Sequence, residues 1–242
     1  VKLPEALNAS LSGDGAASFY ERVGGPPGVA AFDADGTLWD GDIGEDVLRE
    51  LIRCGSLIDP PPRPYEEYEY RVRRDPADGF AFAVRLMRGM REAEVREVSR
   101  QVFADRFAAA VLPDVRSWLD HLVARDWQVY VVSASNRWSV EIGVGHLGIP
   151  SDRVIAVSVA VEDGRLTDRV LEPVPTLEGK PVLLRRIAGR DPDIAFGNSV
   201  LDLPLLLASR SPVAVGEPYP GNRFLAQARK RGFAVLEIST SR

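Results

Sequence analysis

Cysteine is almost absent: Cys54 is the single one in 242 residues. An internal disulfide is excluded, and so is any cysteine-based zinc cluster. Cys54 ends the helical pattern Val47, Leu48, Leu51, Ile52 and reads as a helix-end residue without chemistry. Histidine is nearly as scarce. His121 and His146 fall on expected helices, away from every motif described below, which argues against a histidine-dependent mechanism. No apolar run approaches ~20 residues, the length a membrane-crossing helix needs. The start, Val1-Lys-Leu-Pro-Glu-Ala-Leu7, has neither an apolar h-region nor a cleavage site, so the cytoplasm is the expected compartment. Positive charge is in deficit, with a net charge of −5. An acidic chain is not drawn to nucleic acid or to an anionic membrane surface. Arg71, Arg73 and Arg74 do cluster, but Glu66, Glu67, Glu69 and Asp75 surround them, as on a solvated helix face. Internal repeats and low-complexity segments are also missing.

What is there is ordinary for a globular chain: 45% apolar and 27% charged residues, long enough for one large domain or a domain with an insertion. Within it, Asp33-Ala-Asp35-Gly36-Thr37-Leu38 stands out. It follows the apolar run Val29-Ala-Ala-Phe32, which reads as a buried parallel strand. Two carboxylates at the end of a core strand are expensive unless a cation or a reaction uses them. An aspartate attacking phosphorus forms an aspartyl-phosphate and needs a metal ion to offset the phosphate charge. It also needs a second acid to protonate the leaving oxygen. Asp33 and Asp35 fit these roles, and a polar turn after a strand is the plainer reading.

Three further features follow in order. Val129-Tyr-Val-Val132 is a second apolar strand, ending in Ser133-Ala134-Ser135-Asn136 before a helix, a natural anion cradle. Gly179-Lys180 opens an amphipathic helix carrying Val182, Leu183, Leu184 and Ile187. Ile194-Ala-Phe196 is a third strand and runs into Gly197-Asn198-Ser199-Val200-Leu201-Asp202. Separately these are an N-cap serine, a solvated lysine and a Gly-Asn turn. Together they sit at strand C-terminal ends or helix starts, where open α/β sheets bind their ligands.

Residues 1–27 are weakly patterned and read as a short helix and a lead-in loop. A helix is expected over 43–53, ended by Pro60-Pro-Pro-Arg-Pro64. From Tyr65 to Ala110 apolar residues recur at helical spacing (Phe80, Val84, Met87, Val95, Val98, Val102), over a length no loop explains. Beyond it strand and helix signals alternate: helices at 114–125, 137–147, 180–189, 200–208 and 222–231, strands at 127–132, 153–157, 193–196, 212–215 and 233–237. Glu162-Asp163-Gly164-Arg165 marks a hairpin within 157–170. The expected fold is α/β, with a core at 1–54 and 111–242 and a helical insertion at 55–110.

The motifs Asp33-Ala-Asp35-Gly36-Thr37, Ser133, Lys180 and Gly197-Asn198-Ser199-x-x-Asp202 resemble those of the haloacid dehalogenase superfamily, in its phosphoserine-phosphatase-like branch, over roughly residues 28–238. The resemblance implies a Rossmann-like three-layer core around a parallel sheet with an inserted α-helical cap. It implies a Mg²⁺-dependent phosphatase acting on a small-molecule phosphomonoester, phosphoserine- or phosphoamine-like, as a monomer or homodimer. A phosphotransferase and a non-catalytic phosphate-ligand-binding protein are the alternatives. Asp33 would be the nucleophile and Asp35 the general acid, then base; a dehalogenase lacks this second aspartate. Ser133, with Ala134 beside it, and Lys180 would hold the phosphoryl oxygens. Mg²⁺ would bind Asp33, the Asp35 backbone carbonyl, Asn198 and, directly or through water, Asp202. Many relatives carry Asp where this chain has Asn198, so the ion keeps a carbonyl ligand but loses a charge.

Two residues bear on the leaving group. Asp42 matches the acid that binds a substrate ammonium in phosphoserine phosphatases, and it also suits a helix N-terminus. Arg85 is a candidate partner for a substrate carboxylate, against the plainer reading of a surface arginine. Trp39, Tyr65, Tyr68 and Tyr70 either form an aromatic wall for a quaternary ammonium or simply pack.

Overall fold

Alternating apolar runs and amphipathic segments form the elements they suggest. In the computed structural model, which describes Leu7 and residues 10–239, the strands are β1 (Leu11–Ser12), β2 (Val29–Phe32), β3 (Gln128–Asn136), β4 (Val154–Val157), β5 (Val159–Glu162), β6 (Arg165–Val170), β7 (Ile194–Gly197), β8 (Ser211–Gly216) and β9 (Ala234–Glu237). The main sheet has seven strands in the order β1-β9-β8-β7-β2-β3-β4, parallel except for β1, which pairs antiparallel with β9. β5 and β6 form the expected hairpin as a separate sheet.

The helices are α1 (Ala16–Gly24), α2 (Ile43–Arg53), α3 (Pro64–Arg74), α4 (Pro76–Arg85), α5 (Glu92–Val102), α6 (Pro113–Val123), α7 (Arg137–His146), α8 (Gly179–Ala188), α9 (Leu203–Ala208) and α10 (Arg223–Lys230). Strand alternation sorts the core into two layers. Ala30 and Phe32 of β2, with Val129 and Val131 of β3, face Phe19 of α1, Trp118 of α6 and Val144 of α7. Val29 and Ala31, with Tyr130 and Val132, face Leu184 of α8, Leu205 of α9 and Leu225 of α10. Phe32 and Phe196 stack across neighbouring strands at 4.3 Å between ring centroids, an arrangement that adds roughly 0.5–1.5 kcal/mol beyond area burial.

Between α2 and α6 the chain runs through α3, α4 and α5, and a π-helical segment, Phe103–Phe107, follows α5 directly. The α4–α5 connection is sewn to the β5–β6 hairpin by backbone bonds. Gly89 N–H donates to Leu166 O (2.7 Å), Leu166 N–H to Met90 O (3.0 Å) and Glu92 N–H to Gly164 O (2.9 Å).

Four elements differ from the sequence reading. The lead-in contains β1, whose two residues carry no pattern of their own and pair only with the distant β9; residues 1–6, 8 and 9 of that lead-in lie outside the described residues. The helix expected at 200–208 is a 3₁₀ turn, Val200–Asp202, followed by α9. The insertion's last helical turn widens to π geometry. The second strand extends past residue 132 to Asn136, with a register shift against β4: Ser133 pairs with Ala156 and Asn136 with Val157. Such a bulge re-aims side chains, and it matters for the site.

Candidate active site

From β2 the chain builds outward to β3 and β4, then crosses over to β7, β8 and β9. The carboxyl ends of β2, β3 and β7 therefore meet at a topological switch point, where a crevice opens. A cleft of about 200 Å³ lies there, lined by Asp33, Asp35, Asp42, Ser133, Ala134, Lys180, Asn198 and Asp202, with Phe80 and Ser135 at its edge. All the residues expected from the sequence are thus brought together, with one exception. Arg85 is exposed at the end of α4 and does not line this cleft. Its helix docks through Phe80, Ala81 and Val84, which turns residue 85 to solvent.

Lys180 starts α8 and is buried at 1% exposure. Its Nζ donates to Asp33 Oδ1 (2.6 Å), Asp202 Oδ1 (2.6 Å) and the Val132 carbonyl (2.9 Å). Burial works against the ammonium, but the Asp202 and Asp33 carboxylates outweigh it and hold Lys180 above its ordinary value. Lys180 is a fixed cation between two carboxylates rather than a solvated one. Asp33 Oδ2 accepts from the Thr37 hydroxyl at 3.1 Å. Burial, followed by the Asp202 charge, pushes Asp33 up to about 7 against the pull of Lys180.

Asp35 is held by four donors. Oδ1 accepts from Trp39 Nε1 (2.9 Å) and Ile43 N–H (2.8 Å), and Oδ2 from the Ser135 (2.7 Å) and Ser133 (3.4 Å) hydroxyls. Burial raises its pKa, opposed by the bonds from Ser135, Ile43 and Trp39. Trp39 and Ser135 are thus part of the site, and the sequence reading gave neither this role. The β3 bulge carries Ser135 into the cleft, and a register slip against β4 has no local sequence signal. Trp39 is fully buried against Phe103 and Phe107 of the π-helical segment. It braces Asp35 from behind, so it is no part of an aromatic wall. Tyr70 is exposed on the surface, while Tyr65 and Tyr68 pack at 5.8 Å with their hydroxyls toward Glu45.

Asp42 is both a capping residue and a wall of the cleft. It is the N-cap of α2, with Oδ1 accepting from Glu45 N–H at 2.8 Å, and it lines the cleft, 3.4 Å from the Ser135 hydroxyl. Burial, then the Asp35 charge, raises it well above the carboxylate range. Asp202 is more committed than its sequence position suggests. Oδ1 is taken by Lys180, and Oδ2 accepts from Asn198 N–H, Ser199 N–H and the Ser199 hydroxyl at 2.9–3.1 Å. Of a direct and a water-bridged contact with a cation, this leaves the water-bridged one.

Among the described residues, no group of three or more His, Cys, Asp or Glu is arranged as a ready metal cage. The oxygen donors still suit a hard cation that keeps several waters. Gly36 sits at φ +71°, and a Cβ there would lie 2.0 Å from Asn198 Nδ2, so the Asn198 amide rests against the loop carrying the Asp35 carbonyl. The Asn198 side chain makes no hydrogen bond of its own among the described residues. Four carboxylates, those of Asp33, Asp35, Asp42 and Asp202, share this cleft with one ammonium. That excess of negative charge fits a divalent cation.

Residues 30–207 match the family model described as haloacid dehalogenase-like hydrolase, and no curated protein matches the chain. Among solved structures, a protein of unknown function from Bordetella pertussis Tohama I is 25% identical with a TM-score of 0.74, covering 88% of this chain and 99% of that one. A phosphoserine phosphohydrolase-like protein from Francisella tularensis subsp. tularensis SCHU S4 is 16% identical with a TM-score of 0.55, covering 77% and 86%. A substrate-bound phosphoserine phosphatase complex is 19% identical with a TM-score of 0.57, covering 79% and 87%. Among the described residues no helix is long and apolar enough to cross a membrane. With the family model spanning both aspartates, Ser133, Lys180 and Asp202, the chain belongs to the haloacid dehalogenase-like hydrolases and shares its fold with their phosphoserine-phosphatase-like members.

Proposed function

We propose that the protein is a Mg²⁺-dependent phosphatase hydrolysing a small-molecule phosphomonoester, phosphoserine- or phosphoamine-like, through an aspartyl-phosphate on Asp33. The observation that carries this is the pairing of a buried Asp33–Lys180 contact of 2.6 Å with a second carboxylate, Asp35, held by four donors in the same cleft. Lys180 fixes Asp33 Oδ1 and leaves Oδ2, which has only the Thr37 hydroxyl, as the attacking oxygen. As the Asp33–phosphorus bond forms and the ester bond breaks, Asp35 passes its proton to the leaving oxygen. Water then attacks the phosphoenzyme, Asp35 takes its proton, and phosphate departs. Ser133 and the neighbouring Ala134 backbone position the phosphoryl oxygens, and Lys180, its three N–H donors held by Asp33, Asp202 and Val132, contributes its positive charge from beside Asp33. Asp33, the Asp35 carbonyl and Asn198 would hold Mg²⁺, with Asp202 behind a water. When bound, the ion offsets charge on the transferring group, the main demand of phosphoryl transfer.

The test is a panel of phosphomonoesters with and without Mg²⁺: turnover of several small members that stops on chelation is expected, and no turnover of any member sinks the reading. Asn198→Asp is expected to tighten Mg²⁺ binding severalfold by restoring a charged ligand. A titration of activity against Mg²⁺ with an unchanged or weaker midpoint would place residue 198 away from the ion.

Asp42→Ala separates the two places of Asp42. Loss of the cap is expected to cost about 1 kcal/mol of stability. Loss of an ammonium contact is expected to raise KM for an amine-bearing substrate while sparing p-nitrophenyl phosphate. Thermal melts beside kinetics on phosphoserine, phosphocholine, a sugar phosphate and p-nitrophenyl phosphate check both. A uniform kinetic effect across the four leaves the capping role alone.

A further inference from the structure

A narrow chamber opens off the cleft beneath α4. Phe80, Ala134 and Ser135 line both spaces, so the chamber adjoins the cleft on the side of α2 and α4. Its walls are mostly apolar, with Leu48 from α2 and Val84 and Met87 from the α4 side. Its volume is about 10 Å³, room for roughly one water-sized group. Four polar side chains line it: Glu45, Tyr68, Ser135 and Asn136.

Two of them are incompletely satisfied. Asn136 caps α7, its Oδ1 accepting from Ser139 N–H at 3.0 Å, and that bond fixes which end of the amide is which. The other end, Nδ2, is a buried donor without a partner, on a residue only 4% exposed. Buried donors in native proteins are almost always paired, and an orphan calls for a missing acceptor. On the opposite count, Glu45 Oε2 is taken by the Tyr65 hydroxyl (2.7 Å) and Arg49 (3.2 Å), whereas Oε1 has only the Tyr68 hydroxyl at 3.5 Å. The chamber, with room for about one water, is therefore bordered by one residue with an unused donor and one with an underused acceptor.

We propose that this chamber is a leaving-group subsite for a hydroxyl, accepting from Asn136 Nδ2 and donating to Glu45 Oε1, which narrows the substrate class above to phosphomonoesters whose leaving group carries a free hydroxyl and no carboxylate, away from phosphoserine itself. The inference rests on the phosphatase reading above. A hydroxyl both accepts and donates, and so answers both groups. An ammonium in the chamber donates only and leaves Asn136 unpaired. A methyl group fills the volume and orphans both. A carboxylate meets Glu45, and Lys180 is the one cation lining cleft or chamber among the described residues, already placed between Asp33 and Asp202. Arg85, the sequence's candidate for a carboxylate, is outside. An amine at Asp42 stays compatible, because Asp42 lines the cleft and not the chamber.

The experiment measures kcat/KM on glycerol 1-phosphate, propyl phosphate, phosphoethanolamine and phosphoserine, with p-nitrophenyl phosphate as reference. Glycerol 1-phosphate is expected to exceed propyl phosphate and phosphoserine by roughly tenfold or more, since a site built to pair a hydroxyl rejects analogues lacking it. Asn136→Asp keeps an N-cap acceptor but replaces the orphan donor with an acceptor. It is expected to lower the glycerol 1-phosphate to phosphoethanolamine ratio by roughly tenfold. Equal rates on glycerol 1-phosphate and propyl phosphate in the wild type would mean that the chamber holds a structural water only, and a preference for phosphoserine would equally overturn the proposal. Failure on every ester, p-nitrophenyl phosphate included, would instead strike the phosphatase reading and this inference with it.

Discussion

Asp33→Asn is expected to abolish turnover, with kcat falling by about a thousandfold or more, because an amide does not form the phosphoenzyme. The fold should survive the change. Asparagine is nearly isosteric, and it can still accept from Lys180 through its carbonyl. It also removes one of four carboxylates crowded around a single ammonium. Asp33 is pushed up to about 7 by burial and by Asp202, which means that its charged form is held at a cost in the folded protein. The variant is therefore expected to melt no lower than the wild type, in keeping with the exchange of stability for activity at functional sites. Steady-state kinetics and a thermal melt check the pair of outcomes. Retention of more than a few per cent of the wild-type rate would remove Asp33 from the nucleophile's role, and a collapse in melting temperature would make the loss of activity uninformative.

Asp35→Asn is expected to lower kcat on alkyl phosphates by roughly 10²–10⁴-fold, the usual worth of a positioned general acid. The loss on p-nitrophenyl phosphate should be much smaller, since nitrophenolate departs without a proton. The geometry indicates which oxygen carries that proton. Oδ1 faces two N–H donors, from Trp39 and Ile43, so a proton there would meet donors. Oδ2 faces the Ser133 and Ser135 hydroxyls, which can turn to accept. An asparagine settles in the same sense, carbonyl toward Trp39 and amide toward the serines, so the variant keeps its place. Equal losses on both substrate types would assign Asp35 a structural role instead.

The parts of this site visible in the sequence are those carried by local pattern. Apolar runs at 29–32, 129–132 and 194–196 marked three core strands, and the polar residues just after them marked one crevice. The parts that stayed hidden depend on how elements dock. Ser135 reaches Asp35 because β3 slips register against β4, and that slip is decided by the partner strand. Trp39 read either as part of an aromatic wall or as packing, and its burial against the π-helical segment, which no local pattern announces, decides for packing. Arg85 is offered for a carboxylate on a loose match to the family's cap arginine, and the plainer reading of a surface arginine is the one its position fits, since α4 docks through Phe80, Ala81 and Val84. The burial of Lys180 was likewise invisible: a lysine at a helix start is normally wet, and only the convergence of Asp33, Asp202 and the Val132 carbonyl makes a dry position tolerable.

The seam between the α4–α5 connection and the β5–β6 hairpin sets how the helical insertion can breathe. A rigid lid swinging clear of the core would have to break the Gly89–Leu166, Leu166–Met90 and Glu92–Gly164 backbone bonds together. A rocking motion that keeps the seam as its axle needs none of them broken. The two motions leave different isotopic records. In the first, the amides of Gly89, Leu166 and Glu92 take up deuterium at the rate at which the cleft opens, and a tightly bound inhibitor slows all three. In the second, they stay protected while amides along the far side of α3 exchange. Exchange at these three N–H groups thus reports which of the two motions gives access to the cleft.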